Sequence, residues 1–193
     1  MVSVPFPNNR PNKDFNNENS GLVPPQNIQA EEAVLGGILL DPEAIGRIAD
    51  LIKPEAFYIN AHQEIYKTAL MLHTQGKPTD LTSMSAWLAD NGSLEKIGGN
   101  NKLVELVENV SSTASIEQVA NLISDKFIRR QLIRSGNEVV QLGFDQTQET
   151  NEVLDKAEQK IFEISQEKPT KGLTQAAEIL TSTFNEIESR SLG

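Results

Sequence analysis

Residues 115–166, SIEQVANLISDKFIRRQLIRSGNEVVQLGFDQTQETNEVLDKAEQKIFEISQ, decide the fold of this chain. They open with Ser115 and Gln118 at the spacing of a capping box, in which two side chains satisfy backbone donors at a helix start. No proline interrupts the sequence from there to Phe144, so we expect one helix of roughly 40 Å at a rise of about 1.5 Å per residue. The polar run 145–148 predicts a turn, and a second helix is expected from Thr150. The stretch therefore predicts a long antiparallel helical hairpin.

The hairpin carries more apolar residues than two helices can bury against each other. On the first helix one apolar face ends at Phe127 and is continued by Arg130 and Arg134, while the return helix has one apolar stripe with Phe162 beside it. We therefore expect the hairpin to pack against a second copy of the chain. The alternative is that the surplus apolar residues cover the rest of the same chain. The residues predicted to mediate self-association are Ile116, Ile123, Phe127, Leu154, Ile161 and Phe162.

The composition is that of a globular protein, with 38% hydrophobic and 23% charged residues among 193. The net charge of −10 repels phosphate, so strong direct binding of nucleic acid is not expected. The absence of cysteine excludes disulfides and thiolate metal sites, and it suits a cytoplasmic protein. No stretch approaches the roughly 18 apolar residues that a membrane-spanning helix needs.

The rest of the chain is also predicted to be helical. Residues 1–25 contain five of the nine prolines and six asparagines, which predicts a disordered tail. Residues 26–110 contain several amphipathic segments and no sustained alternation of period two, which predicts a compact helical head, with Asn27 and Asp80 expected to cap two of its helices. Two consecutive glycines, Gly36 and Gly37, lie inside its first helix, so we expect another helix to pass very close there. The fold class is therefore all-α.

The C-terminal part of the chain follows the hairpin, which we assign to residues 111–167. Residues 168–193 are predicted to be a linker with one amphipathic helix, because apolar residues recur there at helical spacing. Nothing earlier in the chain obviously covers this apolar stripe. The helix is therefore expected to dock on another domain or subunit, through Leu180, Phe184 and Ile187.

The sequence contains no recognisable catalytic motif. It has no phosphate-binding GxxxxGK[ST] loop and no GxSxG nucleophile turn. His62 and His73 lie far apart on one helix, and each is expected at the surface or its boundary. Glu31 and Glu32 are expected on a solvated helix face. One basic cluster, expected to pair with acids of the hairpin, consists of Lys126, Arg129, Arg130 and Arg134.

Short motifs along residues 24–166 resemble the N-terminal domain of the DnaB family of bacterial replicative DNA helicases. Near the start these are PPQNIQAE at 24–31, VLGG at 34–37 and LLDP at 39–42. Further along they are FY at 57–58 with His62, GKPTD at 76–80, LEKIGG at 94–99, DKAE at 155–158 and IF at 161–162. No single motif is decisive, but their joint order is highly specific.

The resemblance implies an assembly role. In that family a helical head and hairpin pair into dimers, three dimers form a collar on a hexameric ring, and the collar contacts primase and influences the helicase loader. The linker helix docks on the ATPase domain of a neighbouring subunit. ATP and Mg²⁺ belong to a RecA-like C-terminal domain that this sequence lacks, so we expect no cofactor, no ATP hydrolysis and no DNA unwinding from this piece.

Two other hypotheses stay open at this point. The chain could be a free-standing helical adaptor that dimerises without any helicase, in which case the C-terminal helix should dock on the chain itself. It could also be a helical DNA-binding domain that uses the basic cluster, in which case it should bind DNA at physiological salt.

Overall fold

The computed structural model describes residues 23–110 and 115–166. Within these ranges the chain forms helices and no β-strand, which confirms the all-α prediction. The helices are α1 (Ile28–Leu40), α2 (Ala44–Ile48), α3 (Asn60–Thr74), α4 (Leu81–Asp90), α5 (Leu94–Ile97), α6 (Gly99–Glu108), α7 (Ile116–Phe144) and α8 (Thr150–Gln166), with a 3₁₀ turn, Pro54–Ala56, before α3. Most of the predicted tail and the predicted linker helix, with Leu180, Phe184 and Ile187, lie outside the described residues.

Three helices begin at side-chain caps that the sequence predicts. Asn27 Oδ1 accepts from the backbone N–H of Ala30 at 3.0 Å, at the start of α1. The side chain of Asp80 accepts from the backbone N–H of Ser83 at the start of α4. Ser115 Oγ accepts from the backbone N–H of Gln118 at 3.3 Å at the start of α7. Each cap satisfies a donor that has no partner within its helix, so the caps fix where these helices begin.

The core of the head forms where α1 packs against α3, α6 and the first half of α7. Gly36 of α1 lies against α6: a Cβ built on it would be 2.2 Å from the carbonyl oxygen of Leu106 and 2.4 Å from Cγ2 of Val110. Only glycine fits at this crossing. The close helix approach predicted from the two glycines is therefore confirmed at Gly36.

The surroundings of α7 change along its length, from the core of the head at its start to solvent at its end. Val119, Ala120 and Ile123 lie in the core of the head, packed with residues of the helices before it. Arg130 is the last buried residue of α7, and Phe144 at its end is largely exposed. The base of the predicted hairpin is thus built into the head, and the distal half has only α8 as its helical neighbour within the described chain.

Candidate functional site

Polar contacts between α7 and α8 hold the distal hairpin in register. Glu138 of α7 accepts a hydrogen bond from Lys160 of α8 and pairs with Arg134 Nε at 3.4 Å. The hydrogen bond from Lys160 is the main reason that the pKa of Glu138 is lowered. These contacts leave much of the apolar surface of the hairpin uncovered.

The turn between the two helices is organised by Asp145. Its Oδ1 accepts from the backbone N–H of Thr147 at 3.0 Å, and its Oδ2 accepts from Nε2 of Gln148 at 2.6 Å. Hydrogen bonds from Thr147 and then Gln148 hold the pKa of Asp145 below its usual value. An Asp side chain that bonds the backbone two residues on is typical of a tight turn.

An open apolar groove of about 590 Å³ runs between α7 and α8 on the distal hairpin. We call it the hairpin groove; it is lined by Gly136, Val139, Ala157, Glu158, Ile161, Phe162 and Ser165. Phe162 and Ile161 line the groove with 61% and 49% of their surface exposed. Gly136 and Ala157 also line it, and their small size leaves space. Large exposed side chains beside small residues provide both the knobs and the holes of helix packing.

The six residues predicted to mediate self-association fall into two groups. On α8, Ile161 and Phe162 line the hairpin groove, and Leu154 is 55% exposed one turn before Glu158. These three are accessible to a second copy of the chain, and their role in self-association stays a prediction.

The other three, on α7, pack within the same chain. Ile123 is 2% exposed in the core, and Ile116 and Phe127 are partly buried against it. Their role in self-association also stays a prediction, although Ile123 leaves almost no surface for a second copy. The alternative, that the same chain covers the surplus apolar residues, accounts for the burial of Ile123.

A second apolar stripe lies exposed along α7. It consists of Leu122, Ile133, Val140 and Phe144. Successive members are 11, 7 and 4 residues apart, spacings that keep them on one face of a helix. The hairpin therefore exposes apolar surface outside its groove as well.

Two groups of buried polar contacts, one made by Glu31 with His62 and one made by Arg130, both contact Tyr58, and together we call them the junction network. Glu31 is 1% exposed, and its Oε2 lies 2.8 Å from Nδ1 of His62. Its Oε1 accepts from the N–H of Tyr58 at 2.6 Å. The expectations of a solvated Glu31 and a surface His62 were wrong, because α3 lacks a side-chain cap of its own and Glu31 supplies the acceptor at its start.

Arg130 contributes the positive charge of this network. It is 4% exposed, and its guanidinium donates to the carbonyl oxygens of Pro25 at 2.8 Å and Ala56 at 2.5 Å. Burial lowers the pKa of Arg130, an effect that the negative charge of Glu31 partly offsets. Its placement was missed because Arg130 and Arg134 both continue the apolar face that ends at Phe127, and the sequence does not tell which of them is buried.

The rest of the basic cluster pairs with acids, as predicted. Arg129 Nε lies 3.0 Å from Asp125 Oδ2, and Lys126 lies 3.9 Å from the same oxygen. Arg134 pairs with Glu138. The cluster is therefore largely neutralised within the chain and offers little to a phosphate backbone.

Among residues 23–110 and 115–166 no group of His, Asp and Glu is arranged to hold a metal ion. No helix in the same ranges is long and apolar enough to cross a membrane.

The family model for the DnaB-like helicase N-terminal domain matches residues 23–125. The chain is 54% identical over 179 residues to the replicative DNA helicase DnaB of Nostoc sp., covering 93% of this chain and 20% of that protein. It is 39% identical over 169 residues to DnaB of Geobacillus stearothermophilus, covering 88% of this chain and 37% of that protein. The chain thus spans between about a fifth and two fifths of the length of these relatives.

Two solved structures show the same architecture. The N-terminal domain of DnaB helicase from Mycobacterium tuberculosis superposes with a TM-score of 0.69 at 35% identity, covering 73% of this chain and 99% of that one. A DnaB-like replicative helicase, studied with its interactions with primase, superposes with a TM-score of 0.61 at 29% identity, covering 81% of this chain and 35% of that one. From the family match, the sequence identity and the shared fold, this chain belongs to the family of DnaB-like helicase N-terminal domains.

Proposed function

We propose that this chain is the collar domain of a hexameric replicative DNA helicase, where it mediates oligomer assembly and recruits primase and the helicase loader. The observation that supports this most directly is the open hairpin groove, on a chain whose head belongs to this family. The structure supports a binding role for the hairpin because its exposed apolar residues line a continuous groove.

Self-association is the first part of the proposal. A two-fold interface requires a surface that is complementary to itself. The hairpin groove has this character, because Phe162 and Ile161 are large while Gly136 and Ala157 leave room for a partner's side chain. Full burial of a large apolar side chain contributes about 1.5–3 kcal/mol. Leu154, Ile161 and Phe162 are each about half exposed, so covering all three would contribute several kcal/mol to association. Pairs formed in this way would join into a trimer of dimers.

Recruitment of primase is the second part. The DnaB-like helicase with a TM-score of 0.61 is described together with its interactions with primase. The similarity covers 81% of this chain, which supports the same partner for it. We propose the loader as a further protein partner. DNA is a poor direct partner, because the chain carries a net charge of −10 and Lys126, Arg129 and Arg134 already pair with acids.

Catalysis is proposed to lie elsewhere in the helicase. ATP and Mg²⁺ would bind to a RecA-like domain, on which Leu180, Phe184 and Ile187 would dock as part of the linker helix. This chain would therefore act as a scaffold in the cytoplasm, where the DNA is replicated, and would not hydrolyse ATP by itself.

A titration with primase tests recruitment. The chain is labelled with a fluorophore and titrated with purified primase from Nostoc, and anisotropy is followed at physiological salt. We expect saturable binding by primase and none by an unrelated protein of similar charge. A flat primase titration at concentrations where the chain is folded would contradict the recruitment part of the proposal.

A further inference from the structure

The junction network connects segments that are far apart in the sequence. Glu31 lies on α1, His62 on α3 and Arg130 on α7. Through Arg130 the network also holds the carbonyl oxygens of Pro25, before α1, and of Ala56, in the 3₁₀ turn. No buried side-chain nitrogen or oxygen in the described chain lacks a hydrogen-bond partner, so the network is fully satisfied.

The network lies at the point where the hairpin leaves the head. Arg130 is the last buried residue of α7, one turn after Phe127, which still packs against the core. On α8 the buried residue is Ile164, and it is not part of the core cluster of the head. Along α7, Arg130 is therefore the last firm contact with the head.

The chemistry of this contact is directional. Apolar packing of Ile123 and Phe127 holds α7 on the head, and its strength depends mainly on the area buried, not on the direction of individual bonds. The planar guanidinium of Arg130 instead donates to two carbonyl oxygens on separate segments, which requires one orientation of the side chain. The guanidinium also lies 5.6 Å from the ring centre of Tyr58 and 5.8 Å from that of Phe127.

Glu31 and Arg130 both contact Tyr58. The carboxylate of Glu31 accepts from the backbone N–H of Tyr58 and contacts His62, and the guanidinium of Arg130 lies near the ring of Tyr58. Buried ionic groups contribute to uniqueness of structure in several known proteins, even where they add little stability.

We propose that Arg130, held by the carbonyl oxygens of Pro25 and Ala56, fixes the angle at which the hairpin leaves the head. Loss of the network would leave the head folded and the two helices of the hairpin intact, but it would allow the hairpin to adopt a range of orientations. This property does not depend on the partners of the hairpin, so it can be tested separately from the proposed function.

Distance measurements by pulsed electron paramagnetic resonance test the proposal. The chain has no cysteine, so spin labels can be placed at two engineered cysteines alone. Asp90 at the end of α4 and Gln146 in the hairpin turn are both exposed and suit this purpose. Dilution with unlabelled chain removes distances between copies. The variants are Arg130→Met, which keeps an unbranched side chain but is shorter and has no donors, and Ile123→Val as the apolar control in the same contact.

We expect one narrow distance distribution for the parent and for Ile123→Val, and a broadened or split distribution for Arg130→Met. Arg130→Lys keeps the charge but not the paired hydrogen bonds, so it should broaden the distribution to an intermediate extent. If Arg130→Met does not fold, the distance distribution of Arg130→Lys tests the proposal in its place. Distributions for the Arg130 variants as narrow as that of the parent would overturn the proposal, as would equal broadening in Ile123→Val.

Discussion

Glu31 binds the segment that leads into α3: its Oε2 is 2.8 Å from Nδ1 of His62, which lies 31 residues further along the chain in the first turn of α3. The residue before α3 is Ile59, which has no side-chain acceptor, and Glu31 accepts from the N–H groups of Tyr58 and Ile59 just before the helix. A contact from α1 thus fixes the segment at this helix start. The stability of the head should depend on this one carboxylate.

Replacement of Glu31 by leucine tests this dependence. The variant leaves the N–H of Tyr58 and the ring of His62 without their acceptor and Arg130 without its nearby negative charge, so we expect a loss of about 3 kcal/mol in the free energy of unfolding. Urea titration followed by circular dichroism measures it. Glu43→Leu, at an exposed position, is the control. A loss for Glu31→Leu as small as that of the control would contradict this role of Glu31.

The two adjacent glycines of α1 should respond differently to alanine. Gly36→Ala places a methyl group against the backbone of α6, so we expect a loss of about 1–3 kcal/mol or more. At Gly37 the nearest atom is Ile116 Cδ1 at 3.3 Å, a side-chain end that can shift. Alanine gains about 0.8–1 kcal/mol in helix propensity over glycine, so the free energy of unfolding of Gly37→Ala should stay close to that of the parent. Thermal unfolding compares the two; similar melting temperatures would contradict the packing described for Gly36.

Asp80 should contribute a pH-dependent part of the stability. The backbone N–H of Ser83, followed by its hydroxyl, lowers the pKa of Asp80 in the folded chain. The unfolded chain therefore takes up this proton more readily, so the contribution is present above the ordinary aspartate pKa of about 3.9 and is lost as the pH falls through the folded value.

Asp80→Asn isolates this contribution, since asparagine keeps an acceptor oxygen but has no charge. The difference in unfolding free energy between parent and variant should be constant near neutral pH and shrink in acid, as urea titrations at a series of pH values would show. A difference that does not change down to about pH 3 would contradict the assignment.

The sequence allowed the elements to be predicted because their signals are local. The caps at Asn27, Asp80 and Ser115 and the polar turn after Phe144 each depend on residues within one helical turn, and all were located correctly. The junction network could not be predicted in the same way. Glu31 and Arg130 carry charges that are ordinarily solvated, and only the packing of α1, α3 and α7 determines that they are buried together.

The same distinction applies to the candidate site. Periodicity identified the apolar faces of α7 and α8 but not which of them the head would cover. Ile123 and Leu154 have similar patterns in sequence, yet one is buried and the other exposed, because helices of the head pack against α7 whereas α8 packs mainly against α7 alone.

Filling the hairpin groove should weaken self-association without harming the fold. A Cβ at Gly136 would meet nothing within 4 Å, so Gly136→Leu is tolerated by the single chain and gains helix propensity. The added side chain would occupy the space that we assign to the partner. Gly143→Leu is a matched control, because Gly143 is equally open but does not line the groove. Sedimentation velocity should show weaker association for Gly136→Leu only; equal association constants for the two variants would contradict the groove as the interface.

The central claim is that the hairpin groove joins two copies of this chain. Its most direct test is the solution mass by light scattering across a concentration series, for the parent, for Phe162→Asp in the groove and for Phe144→Asp at the exposed end of α7. We expect a dimer or larger assembly of the 21.2 kDa chain for the parent and Phe144→Asp, and a folded monomer for Phe162→Asp. A monomeric parent at high concentration, or an unchanged assembly in Phe162→Asp, would contradict the claim.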